Sequence, residues 1–472
     1  MLFSSVTFLY YCLPVALSVY FLTPMPGGSA RFRNAALLLC SLAFYAWGEP
    51  VYVFLMLFQS LAGWFFGLLI DAHRGKPASA AFVFASVTVG LCGLALFKYS
   101  DFFVENANAL FHASAPSLGL ALPIGISFYT FQILSYVIDL HRGTIRVQRN
   151  LLNFVTYVTL FPQLIAGPIV RCADVADALE SRSHSLARFA SGARRFVTGL
   201  AKKVLLANAL GELAVSCAAA DERSLLIAWL YALAYSLQIY FDFSGYSDMA
   251  IGLGHMFGFK FPENFNYPYI ARSVTEFWRR WHMSLSSWFR DYVYIPLGGN
   301  RASAAGRVRN ILFVWLLTGF WHGAGWNFIL WGLYFGLLLL FEKHAFSGLF
   351  KRLPAPLGHV YLPLCAIFGW VIFDAKDAGA AARMASAMLG FGAAGLADAK
   401  AIYLLRGYAA TLLIAAVGCT PLPARLARGL SRGRAGERLM TALEPLCVLL
   451  LLALVTAFLV DGSYNPFIYF RF

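Results

Sequence analysis

Apolar runs of helix length recur along almost the whole chain, near residues 1 to 24, 34 to 48, 51 to 70, 80 to 98, 118 to 140, 204 to 220, 225 to 254, 357 to 373, 402 to 419 and 440 to 460. A spanning helix needs about 20 mostly apolar residues. Only helices and closed barrels satisfy their backbone polar groups in lipid. The runs are continuous rather than alternating with period two, which selects helices over a barrel. The expected fold is therefore an all-α integral membrane protein, with residues 1–472 as one polytopic domain. With 60% hydrophobic and 13% charged residues, against roughly 25% charged in an ordinary soluble domain, no soluble fold could hide this surface.

The stretch Met1 to Pro24 lacks a basic n-region and a small-residue cleavage site, so it reads as a retained first span rather than a removed signal. The eight cysteines are scattered, with no metal or redox spacing, and read as small core residues. The formal charge of +14 follows from the Lys/Arg excess of cytoplasmic loops, not from nucleic-acid binding. Arg31 and Arg33, Arg74 and Lys76, then Arg142, Arg146 and Arg149 fall in every second loop, while the loops between them carry Glu49, Asp101 and Glu105. That parity places the N-terminus outside.

Two segments break the parity. The run from Leu151 to Val170 has basic residues on both flanks and is interrupted by Pro162, Gly167 and Pro168. The run from Asn310 to Glu342 lies between Arg301, Arg307 and Arg309 on one side and Lys343, Lys351 and Arg352 on the other, with Trp321-His-Gly-Ala-Gly-Trp326 as its interruption. Each is expected to be re-entrant, because non-helical backbone at membrane depth is tolerated only inside protein or along a cavity. The second could also be one long broken span.

An ionisable residue inside an apolar segment costs about 2.5 to 3.5 kcal/mol on insertion scales, so each is a functional candidate. His322 stands first: neutral imidazole is cheap to bury and suited to taking a proton from a hydroxyl. Its glycines permit close backbone approach, and Trp321 and Trp326 are expected to wall off water. A hydrogen bond between helices is the plainer role for such a histidine. His282 lies in Phe277 to Tyr292, where helical spacing groups Phe277, Trp281, Leu285 and Trp288 on one face and sets Arg279, Arg280 and Arg290 elsewhere. That pattern fits an interfacial amphipathic helix. The arginines could receive the phosphates of a cytoplasmic donor. Asp242 and Asp248 are six residues apart and do not pair closely on a helix; Asp242 either orients a histidine or makes a polar contact between helices. No phosphate-loop, dinucleotide or metal-ligand motif is present.

Tyr240-Phe-Asp-Phe-Ser-Gly-Tyr-Ser-Asp248, Asn266-Tyr-Pro-Tyr269, Trp278 to Tyr292 followed by Ile295-Pro-Leu-Gly-Gly-Asn-Arg301, and Leu317-Thr-Gly-Phe-Trp-His-Gly-Ala-Gly-Trp326 together resemble the membrane-bound O-acyltransferases. The chain looks most like the bacterial branch that contains alginate O-acetyltransferase, the peptidoglycan and cellulose acetylation proteins and the teichoic acid D-alanylation protein. The ending Asn465-Pro-Phe-Ile-Tyr-Phe-Arg-Phe472 is typical of that branch.

The resemblance implies about 10–12 transmembrane helices with re-entrant segments around a central funnel. It also implies an acyltransferase with His322 as base and His282 as the second histidine. Asp242, Asn266, Arg279, Arg280, Trp281, Trp321 and Trp326 are the expected substrate-binding residues, with no metal and no bound cofactor. Acetyl-CoA or an acyl carrier would be the cytoplasmic donor. A secreted polysaccharide would be the acceptor, reached through a periplasmic partner resembling SGNH-type esterases. A transporter is the rival class, since discontinuous helices also mark transport sites, but residues 1 to 150 carry no counterpart of the motifs at 236 to 326. A scaffold that only docks polymer-modifying enzymes is the third reading.

Overall fold

The computed structural model describes residues 1–220, 223–344, 354–462, 465, 466 and 468, and these contain helices and no strand. Lys351, Arg352 and most of the closing 465–472 motif lie outside the described residues. The helices are α1 (Phe8–Leu22), α2 (Arg31–Gly48), α3 (Tyr52–Ala72), α4 (Pro77–Phe111), α5 (Ile126–His141), α6 (Leu151–Thr159) and α7 (Cys172–Glu180). Next comes α8, which runs from Leu186–Ala201 through a π-turn at Lys202–Ala207 into Asn208–Ala218. It is followed by α9 (Leu225–Met256), α10 (Val274–Trp278), α11 (Met283–Phe289), α12 (Ala304–His322) and α13 (Trp326–His344). The last are α14 (Ala355–Asp374), α15 (Ala378–Met388), α16 (Ala399–Gly418), α17 (Leu422–Leu430) and α18 (Gly433–Val460). Among the described residues, six helical stretches are long and apolar enough to cross a membrane: α3, α4, α9, α14 without its first residue, α16 and α18. The protein is multi-pass.

The residues group into two compact units, Met1–Phe196 with Ser247–Glu263, and Val197–Tyr246 with Asn264–Phe472.

In the first unit, residues 153 to 170 are buried without exception. The helix stops at Thr159, a single turn follows at Phe161–Leu164, and the rest is irregular. Its polar groups are met by protein: Ser41 Oγ accepts the Phe161 N–H at 3.1 Å, and the Gln163 amide donates to the Tyr157 carbonyl at 2.6 Å. Broken backbone is thus enclosed by protein, as membrane depth would require. Two boundaries differ from expectation. The run from 118 becomes helical only at Ile126, because Pro123 and Gly125, at φ 76°, interrupt it. The basic flank that follows residues 151–170 is helical rather than a loop, with Arg188, Arg194 and Arg195 on α8; Arg195 pairs with Asp248 at 2.9 Å.

In the second unit, α12 and α13 form an antiparallel hairpin that turns at Gly323–Gly325. The backbones touch: a Cβ added to Gly319 would lie 2.2 Å from the Phe328 carbonyl oxygen, and one added to Gly332 would lie 2.2 Å from that of Trp315. Small residues allow such close approach between apolar helices. The segment is therefore a hairpin rather than one long broken span, which puts His322 at its tip.

Candidate active site

His322 is the last residue of α12 and is buried. Its ring packs against Trp321, Trp331 and Phe373 at centroid distances of 5.0, 5.1 and 5.3 Å. Trp326, expected to shield it, is 58% exposed instead. The turn Gly323–Gly325 reverses the chain before Trp326, so Trp331, further along α13, closes over the imidazole. Trp321 also contacts the second histidine, with its ring 6.0 Å from that of His282. One indole therefore touches both candidate histidines.

His282 does not lie within a single amphipathic helix. Phe277, Trp281, Leu285 and Trp288 are all buried, as their spacing suggests, but the helix breaks between α10 and α11. His282 stands at the break with φ 43° and ψ 54°. Few non-glycine residues adopt this left-handed conformation, and it persists only where the surroundings over-determine it.

The surroundings here are Asn264. Its carbonyl accepts the Met283 N–H at 3.0 Å. Its side-chain oxygen accepts the Ser284 N–H at 3.3 Å and the Ser284 hydroxyl at 2.9 Å, and it lies 3.1 Å from His282 Nδ1. His282 is 1% exposed, enclosed by protein rather than on an open helix face. Burial pushes its pKa down to about 3, which keeps the ring neutral.

His282 forms part of the wall of a cavity of about 1220 Å³ built by α10 to α13. Arg279, Arg290, Arg307 and Lys343 also line it, with Glu342 as the one carboxylate among the described residues. Glu342 is occupied: it accepts the backbone N–H groups of Val274 and Thr275 at 2.5 and 3.0 Å, and the Thr275 hydroxyl at 2.7 Å. It thereby caps α10, where the unpaired amides of a helix N-terminus favour a carboxylate. Arg290 is held by Asp291 at 2.7 Å. The remaining cations leave the cavity positive, suited to anionic groups on an entering molecule. On α12 the lining runs from Arg307 to Thr318, one turn before His322.

The other expected substrate-binding residues are placed as follows. Arg279 lines the cavity. Arg280 pairs with Glu276 at 2.8 Å and donates to the Asn266 carbonyl at 3.1 Å, so this arginine and Asn266 brace the loop. Trp281 is buried among Tyr240, Phe265, Phe277 and Trp370. Asp242 is buried in an ion pair with Lys203 at 2.8 Å and accepts the Ile468 N–H at 2.9 Å. It serves as a polar contact between α8, α9 and the C-terminal segment, and the residue beside the His282 ring is Asn264. Asn264 is absent from the expected set because its role depends on a contact 18 residues along the chain; nothing in Pro262-Glu-Asn-Phe-Asn266 advertises it.

Residues 142–375 match the family model of the membrane-bound O-acyltransferases. The chain is 41% identical to the probable alginate O-acetylase of Azotobacter vinelandii over the whole of both proteins. It is 43% identical to that of Pseudomonas aeruginosa over 88% of this chain and 80% of the relative. It is also 34% identical to the peptidoglycan O-acetyltransferase of Helicobacter pylori, over 83% of this chain and 80% of the relative.

Proposed function

Since this chain belongs to the membrane-bound O-acyltransferase family, we propose that it moves an acetyl group from cytoplasmic acetyl-CoA across a bacterial inner membrane for O-acetylation of a secreted polysaccharide, an alginate-like polymer first. The observation that carries this reading is the positive cavity with His282 on its wall. A donor bearing several phosphates and a thioester needs a basic site to hold the phosphates and a dry neutral imidazole near the acyl carbon.

In the transfer, the acceptor hydroxyl oxygen attacks the thioester carbonyl carbon and the carbon–sulfur bond breaks. His322 takes the hydroxyl proton as base and returns it to the leaving thiolate, so that an ester and a free thiol result. Burial among Trp321, Trp331 and Phe373 supports this role by excluding hydrolytic water. A periplasmic SGNH-type protein is the proposed onward acceptor, and the N-terminus is proposed to face the periplasm.

Inner-membrane vesicles supplied with labelled acetyl-CoA, and separately with labelled acyl carrier protein, test the donor. Label entering polymer or partner only from acetyl-CoA supports this reading. Label entering only from the carrier replaces the donor. D-alanine in place of acetate would replace the transferred group.

A further inference from the structure

Four hydrogen-bonding contacts join Asn264 to three consecutive residues, His282, Met283 and Ser284. Their chemistry settles an atom assignment. A backbone N–H can only donate, so the side-chain atom of Asn264 that faces Ser284 N is the carbonyl oxygen and not the amide nitrogen. That same oxygen faces His282 Nδ1. The Ser284 hydroxyl also lies 3.5 Å from Nδ1, but its single proton goes to the Asn264 oxygen at 2.9 Å, so it too faces Nδ1 as an acceptor. Two acceptors cannot share a hydrogen bond, so Nδ1 carries the ring proton and Nε2 carries the lone pair. Nε2 is buried and has no partner among the described residues, in a side chain that is 1% exposed and forms part of the cavity wall. A buried acceptor without a partner costs roughly 1–3 kcal/mol, a cost that a bound group with an N–H or O–H would remove.

We propose that Asn264 is a positioning residue of the transfer site: it holds His282 as the Nδ1–H tautomer, so that Nε2 accepts a hydrogen bond from a substrate N–H or O–H and never donates one. This rests on the reading that the cavity is where acyl transfer occurs. The left-handed backbone of His282 belongs to the same device. It turns the ring toward Asn264 instead of continuing the helix, and Asn264 takes over the amides of Met283 and Ser284 that the helix would have satisfied.

The test reads the tautomer directly. ¹⁵N-histidine-labelled protein in proteoliposomes is compared by solid-state NMR with His282→Gln, which identifies the His282 signals. The wild type is expected to show a protonated Nδ1 and an unprotonated Nε2. Asn264→Asp offers an oxygen to the same donors and keeps that signature. Asn264→Ala loses it, and its kcat/KM falls about tenfold or more at matched melting temperature, the scale of one lost functional hydrogen bond. A wild-type signal with the proton on Nε2 overturns the proposal. So does Asn264→Ala with unchanged tautomer and unchanged kcat/KM. If wild type transfers nothing from acetyl-CoA, the donor assignment fails, and the NMR result alone decides the role of Asn264.

Discussion

Lys203 Nζ lies 2.8 Å from Asp242 Oδ1, with both side chains 2% exposed. The pair is completed by Asn208, which accepts from Lys203 at 3.0 Å, by the Pro466 carbonyl, and by the Ile468 N–H on the second Asp242 oxygen. Breaking one side of such a pair leaves a buried charge uncompensated, at about 3–5 kcal/mol. Lys203→Met and Asp242→Asn are each expected to lower the melting temperature in detergent sharply, and the double variant to lower it less than the two singles combined. Strictly additive shifts would contradict the coupling.

The glycines of the α12–α13 hairpin hold the tip that carries His322. A Cβ at Gly332 meets a backbone carbonyl rather than a flexible side chain, so the helices must separate. Gly332→Ala is expected to cost about 1–3 kcal/mol in stability and to reduce acyl transfer. Unchanged activity and melting temperature would show that the close packing does not position His322.

Arg279 is exposed at the cavity and its neighbour Arg280 is held by Glu276. Arg279→Ala is expected to raise KM for a phosphate-bearing donor about tenfold, the scale of one charge-assisted contact, with kcat near wild type. Arg280→Ala should act on loop stability instead. The kinetic split between KM and kcat in the two variants checks this.

Much of the fold is legible in the sequence because apolar run length and glycine and proline position are local signals. The Gly323-Ala-Gly325 turn announces the chain reversal within 310–342, and Pro162 and Pro168 announce broken backbone at 151–170. The site is less legible because its contacts are distant along the chain. The face formed by Phe277, Trp281, Leu285 and Trp288 is correct, but continuous helix between them is not, since a residue at position 264 draws His282 out of it. Trp326 and Trp331 are equally apolar in the sequence; only the hairpin geometry decides that Trp331 meets His322. Arg279 and Arg280 look alike until Glu276 takes one of them.

His282 also has a pH signature. Its folded pKa is depressed by burial to about 3, below the ordinary 6.5. The unfolded chain therefore binds a proton that the folded chain refuses. The stability due to the neutral ring is complete above pH 6.5 and is lost as pH falls toward 3, by up to about 1.4 kcal/mol per pH unit. Melting curves of wild type are expected to fall more steeply over this window than those of His282→Gln. Parallel curves would contradict the burial of a neutral ring.

The most direct measurement is transfer of radiolabelled acetyl from acetyl-CoA in proteoliposomes, with wild type compared to His322→Ala at equal expression and melting temperature. General-base catalysis contributes about 10²–10⁴-fold, so label is expected to reach acceptor with wild type and to drop by at least two orders of magnitude in the variant. Transfer by His322→Ala at the wild-type rate would make His322 a packing residue and contradict the assignment of the base.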